Sequence, residues 1–187
     1  MKITSIIATI LISSIMIASQ ENQTTQADRV VLDNPEVIAV KLAPVVQRVS
    51  AGVYKPLNGP FDPKSNIKFA IVATNTSIIP LRVRSWDLYD QNRPRLLRDN
   101  QEVPYRSGLT DLLKKKDSDG DIISIYVITL EPNHEKTLEY LDLSNWYEPL
   151  LPGHYQLSTQ RRFVQGGKWV DSASLTFEVK TKDSQAQ

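Results

Sequence analysis

Between residues 37 and 180 the apolar positions fall in short runs rich in Val, Ile, Leu and Tyr, set apart by clusters of Pro, Gly, Asn and Asp. That rhythm predicts an antiparallel all-β chain, because each run is long enough to cross one sheet and each cluster supplies turn geometry. Strands are expected near 37–42, 45–49, 67–75, 81–89, 95–97, 122–130, 136–141, 154–163 and 175–180. Tyr155, Leu157 and Thr159 alternate with Gln156, Ser158 and Gln160, the period-two signature of a half-buried strand. In 81–89, Leu81, Val83 and Ser85 share one parity while Trp86 and Leu88 share the other, so a β-bulge is expected before Trp86, a core residue of a central strand. Helical turns are expected only at 109–116, where Leu109, Leu112 and Leu113 share a face, and at 143–147, where Ser144 is the expected cap.

Pro152-Gly153-His154-Tyr155 refines this picture. In immunoglobulin-like sandwiches a Tyr near the start of the penultimate strand folds its hydroxyl back onto the backbone a few residues upstream. Pro152 and Gly153 supply the turn that such a corner needs, and Tyr155 is the expected corner residue. The expected fold is an immunoglobulin-like antiparallel β-sandwich over 37–180 with one or two short helical turns.

Ahead of the sandwich, Lys2 is followed by an uncharged apolar stretch, 3–18, broken only by Thr and Ser. It predicts a secretory signal peptide over 1–19, because a membrane span wants about 20 apolar residues; retention as an anchor is the alternative. A flexible leader over 20–36 and a disordered tail over 181–187 follow from their polar composition. Residues 1–19 contain one Lys and no acid, so the remainder of the chain balances 21 basic against 21 acidic residues. A neutral exported domain has no electrostatic footprint for nucleic acid. With no Cys in the chain, disulfides and a lipid-modified cysteine anchor are excluded.

Stretches in matching order resemble the β-sandwich domain that precedes the catalytic domain of exported deuterolysin-type (aspzincin) metalloproteases. They are Asn75-Thr76-Ser77 with Pro80-Leu81, Trp86-Asp87-Leu88, residues 103–108, residues 130–133, residues 141–147 and Pro152-Gly153-His154-Tyr155. The resemblance implies an accessory module, since the zinc chemistry of those proteases lives in a separate domain. Their H-E-x-x-H motif is not matched: His134-Glu135 is followed by Lys136, Thr137 and Leu138.

No catalytic residue or cofactor is expected, as two His without a G-x-S-x-G elbow or Cys give little to build on. Asp117, Asp119 and Asp121 around Gly120 form a weak calcium-like cluster that departs from an EF-hand, and a solvated turn is the preferred reading. Arg161, Arg162, Phe163, Lys168 and Trp169 flank Gly166-Gly167, so a hairpin brings cations and aromatics to one end of the sandwich, a candidate binding surface. The alternative is that Phe163 and Trp169 merely pair across that hairpin. Loop 51–64 is a second candidate or a covering strap, Trp146 and Tyr147 a sugar platform or packing residues, with packing preferred for Tyr147. Asn22-Gln23-Thr24 and Asn75-Thr76-Ser77 match glycosylation acceptors. The functional expectation is an exported non-catalytic module binding a protein or cell-envelope partner. Alternatives are a protease inhibitor or accessory domain, and an enzyme with an unrecognised site.

Overall fold

In the computed structural model, which describes residues 37–50, 53–56, 59–118 and 126–180, the apolar runs become twelve strands. They are β1 (Ile38–Pro44), β2 (Val46–Ser50), β3 (Val53–Pro56), β4 (Lys68–Asn75), β5 (Leu81–Ser85), β6 (Asn92–Arg98), β7 (Gln101–Glu102), β8 (Tyr126–Leu130), β9 (Glu135–Asp142), β10 (Gly153–Arg162), β11 (Trp169–Asp171) and β12 (Leu175–Val179). Two helices, α1 (Leu88–Gln91) and α2 (Leu109–Ser118), and a 3₁₀ turn at Leu143–Asn145 complete the described chain. The signal peptide, leader and tail expected from the sequence, residues 122–125 of one expected strand, Asn22, Asp119 and Asp121 lie outside the described residues.

Two antiparallel sheets make an all-β sandwich. One has the order β1-β4-β9; the other runs β11-β10-β6-β7, with β12 also paired to β10. Smaller two-stranded sheets, β2-β3 and β5-β8, flank them. Alternation sends Leu42, Phe69 and Ile71 from the first sheet and Leu96, Leu157 and Phe177 from the second into one core. Phe69 and Phe177 meet across the sheets with ring centroids 5.2 Å apart. Full burial of such side chains stabilises by about 1.5–3 kcal/mol each. Phe61 closes the same end edge-on against both rings, and its backbone is pinned by Phe61 N–H to Glu178 O at 2.8 Å and Lys180 N–H to Phe61 O at 2.9 Å. From residue 59 onward the loop is therefore a covering strap; residues 51–52 and 57–58 lie outside the described part.

The corner is present: Tyr155 Oη donates to Leu151 O at 2.6 Å, and its ring stacks on Phe177 at 5.2 Å. Gly153 leaves room for the Arg98 side chain, whose Nε would lie 2.8 Å from a Cβ there and would have to move. Pro152 precedes it on the exposed turn.

Local chemistry moved several boundaries. β5 ends at Ser85 because the Asp87 side chain accepts from Tyr89 N and Asp90 N, capping α1 and competing with strand continuation. Trp86 is buried, but it turns inward where the chain leaves the strand rather than at a bulge, and β5 is not central, pairing only with β8 among the described residues. β6 begins at Asn92, since Pro94 stands where its missing N–H faces the side not paired to β10. Its freed carbonyl accepts from Tyr105 Oη at 2.7 Å and Tyr147 Oη at 2.9 Å. The 3₁₀ turn is capped by Asp142, whose Oδ1 accepts from Ser144 N at 3.1 Å and Ser144 Oγ at 2.7 Å, so Ser144 is the capped residue and not the cap. Trp146 and Tyr147 are packing residues, buried against Tyr89 and Tyr105. Asn75 is wholly buried and its Nδ2 donates to Ile79 O and Leu130 O, so the acceptor motif at 75–77 offers no accessible amide.

Candidate functional site

Strand period two places the consecutive residues Arg161 and Arg162 on opposite faces of β10, and the expected surface divides there. Arg161 points inward and is fully buried. Its Nη1 donates to Asn92 Oδ1 at 2.9 Å and Glu139 Oε2 at 3.0 Å, and its Nη2 to Gln91 Oε1 at 3.2 Å and Ser85 Oγ at 3.4 Å. Burial lowers the Arg161 pKa against the pull of Glu139. Phe163 is 3 % exposed, belongs to the core and lies under the Arg161 guanidinium at 5.7 Å. Neither residue can contact a partner, which corrects the sequence-based surface: the chain turns in after β10, and the buried polar side chains supply the acceptors a desolvated guanidinium requires.

On the outer face, Arg162 stands opposite Trp169 in the β10–β11 register, and Gln160 stands between Arg93 of β6 and Asp171 of β11. Arg93 and Arg162 each place the guanidinium carbon 4.9 Å from the centroid of the Trp169 ring, within cation–π range. Asp117, in the last turn of α2, sets its Oδ1 2.6 Å from Arg93 Nη2 and 3.7 Å from Arg162 Nη2. Beside them Lys116 Nζ lies 3.3 Å from Asp90 Oδ2 and 3.5 Å from Asp87 Oδ2, tying α2 to α1. Burial pushes the Arg162 pKa down, Asp117 opposes that, and Arg93 adds to it. Lys116 is held above its usual value: burial works against its charge, but Asp87 and Asp90 outweigh it. Lys168 is exposed on the turn leading into β11.

Of the five residues expected to form a surface, Arg162 and Trp169 come together and Arg161 and Phe163 go inside. Phe163 does not pair with Trp169; Arg162 takes that register position. Arg93 was missed because the strand was read from Arg95. Once it starts at Asn92, Arg93, Arg95 and Leu97 form its outward row. Asp117, the one member of the calcium-like cluster among the described residues, is engaged by two guanidiniums. Among the described residues no group of three or more His, Cys, Asp or Glu could hold a metal ion. His134 Nδ1 lies 2.9 Å from Pro132 O, and His154 Nε2 lies 3.9 Å from Glu178 Oε1.

A groove of about 520 Å³ opens along the same outer face, lined in part by Arg93, Arg95, Tyr105, Ser158, Gln160 and Asp171. Arg93 borders both this groove and the Trp169 ring. No protein-family model matches this chain, and no curated protein matches it.

Proposed function

We propose that this chain is an exported, non-catalytic, immunoglobulin-like module, akin to the sandwich that precedes the catalytic domain in deuterolysin-type metalloproteases. It holds a protein or cell-envelope partner on the outer face of β11-β10-β6. The observation that carries this reading is Trp169 standing within 4.9 Å of two guanidiniums on a rigid sheet face. Trp and Arg dominate binding hot spots, and rotamers already fixed by stacking lose little entropy on association.

The test is capture from the native envelope and medium by the immobilised full chain and by Trp169→Ala, with mass spectrometry of the retained species and thermal unfolding of both proteins. The expected result is a species retained by the wild type and lost with Trp169→Ala, while Tm falls by only a few degrees. An unchanged retained set with the variant folded would refute the reading.

A further inference from the structure

We propose that Arg93, Trp169 and Arg162 form a carboxylate-binding clasp for an acidic peptide segment, and that Asp117 is its internal occupant, displaced when the peptide binds. This rests on the reading that the partner docks around Trp169. The clasp is under-filled. The unfilled side is that of Arg162: Arg93 Nη1 donates to Tyr89 O and to Asn92 O at 2.7 Å, and one Asp117 oxygen lies 2.6 Å from Arg93 Nη2 but 3.7 Å from Arg162 Nη2, beyond hydrogen-bond length. Arg162 Nε is buried with no hydrogen-bond partner among the described residues, and Arg162 as a whole is 9 % exposed. A planar guanidinium held in this way offers parallel donors suited to bidentate recognition of a carboxylate.

Asp117 is poorly placed to keep the site. It lies at the C-terminal end of α2, where the helix dipole disfavours negative charge, and its side chain is 48 % exposed. The surrounding charges choose the ligand. Arg93, Arg162 and Lys116 face Asp117, Asp87 and Asp90, with Asp87 and Asp90 engaged by Lys116. Exchanging Asp117 for another singly charged carboxylate keeps that balance, whereas a doubly charged phosphate would overfill it beside Asp87 and Asp90. The groove along Arg95, Ser158 and Gln160 gives the backbone of an extended segment somewhere to lie, with the acidic side chains beyond the one in the clasp turned away from Glu102 and Asp171, which line it as well.

Trp86 and Trp146 are buried while Trp169 is partly exposed, so acrylamide-quenchable emission of the full chain reports mainly on the clasp. The probe is a capped penta-glutamate peptide, titrated into wild type, Asp117→Asn and Asp117→Asn/Arg162→Met; capped penta-glutamine and inorganic phosphate are the comparison ligands. Asp117→Asn is expected to bind penta-glutamate roughly threefold to tenfold more tightly than wild type, because removing an internal competitor raises the fraction of open sites. Adding Arg162→Met, or Arg93→Met where the first variant does not fold, is expected to abolish that gain, and penta-glutamine is expected not to bind. Equal affinity of wild type and Asp117→Asn, retention of the gain after loss of the arginine, or preference for phosphate would each overturn the assignment. Loss of native capture by Trp169→Ala together with unchanged penta-glutamate affinity in Asp117→Asn would leave the partner face standing and remove only the carboxylate clasp.

Discussion

Removing the Glu139 carboxylate isolates the energetics of the interior arginine. Arg161 is fully buried, and among the described residues Glu139 is its single ionic partner, at 3.0 Å, with a side chain 24 % exposed. Breaking a fully buried pair by deleting one partner costs about 3–5 kcal/mol, because the remaining charge is left uncompensated. Two features lower that figure here. Water can reach the space vacated by a quarter-exposed side chain, and Arg161 keeps neutral acceptors in Asn92, Gln91 and Ser85. Glu139→Ala is therefore expected to cost about 2–3 kcal/mol. In a domain of this size that lowers Tm by roughly 4–12 °C, taking about 2–4 °C per kcal/mol. Arg161→Met keeps the volume and removes the buried charge, so Glu139→Ala should cost much less in that background, with a coupling of about 1–2 kcal/mol. Urea unfolding of the four proteins of the cycle measures this without adding ionic strength. Additive effects, or a Glu139→Ala loss below about 0.5 kcal/mol, would show that Arg161 is not held as a partnered buried charge.

Tyr155→Phe should lower stability by about 1 kcal/mol, the net worth of one hydrogen bond, because the freed Leu151 carbonyl sits on an exposed residue and regains water. The urea midpoint should fall with m unchanged, and an unchanged midpoint would remove the corner as a stabilising device. At alkaline pH, burial raises the pKa of Tyr105, Tyr147 and Tyr155; Arg93 opposes it at Tyr105 and Arg98 at Tyr155 without outweighing it, and Tyr105 adds to it at Tyr147. A folded pKa above the unfolded value leaves stability intact below about pH 10 and erodes it as pH climbs toward the folded values, by up to about 1.4 kcal/mol per pH unit for each group. Phenolate absorbance at 295 nm should therefore show part of the seven Tyr ionising only together with loss of the circular dichroism signal. Ionisation of all of them near pH 10 with the fold intact would contradict the burial assignment.

The sandwich was legible wherever a strand carried its own apolar pattern. β10 lies within a residue of its expected limits because 153–162 alternates, and β4 does so because 68–75 is a short continuous apolar run between turn clusters, buried on both faces. Where an element is too short to show a period, the sequence was silent: β7 has two residues, β11 three and α1 four. α1 was hidden further because the strand-favouring Trp86 and Tyr89 continue the apolar run of β5, and the helix starts where the Asp87 side chain caps it. The interior position of Arg161 could not be read from hydropathy at all. Its acceptors Gln91 and Asn92 lie 70 and 69 residues away in the chain, so the environment that makes burial tolerable is created only by folding.

Arg161 and Arg162 show why residue type alone misassigned the surface. Two adjacent arginines read as one basic patch, yet the pleat gives them opposite environments. Arg161 is met by a carboxylate and neutral acceptors drawn from β5, β6, β9 and α1, so its charge fastens the two sheets together. Nε is buried without a partner in both arginines, but among the described residues the Arg162 guanidinium meets an aromatic face and an Asp117 oxygen at 3.7 Å, where both Arg161 Nη atoms donate to acceptors. The same network links the two: Gln91 accepts from Arg161 and Trp86 N while donating to Arg84 O and Arg162 O, anchoring the backbone that carries the outer guanidinium. A buried charge whose partners are all internal does structural work, and one left half-satisfied at a sheet surface is poised for an external acceptor. That difference in the partners of the terminal guanidinium nitrogens, rather than the count of cations, is what supports the binding role proposed for Arg162 and its neighbours Arg93 and Trp169.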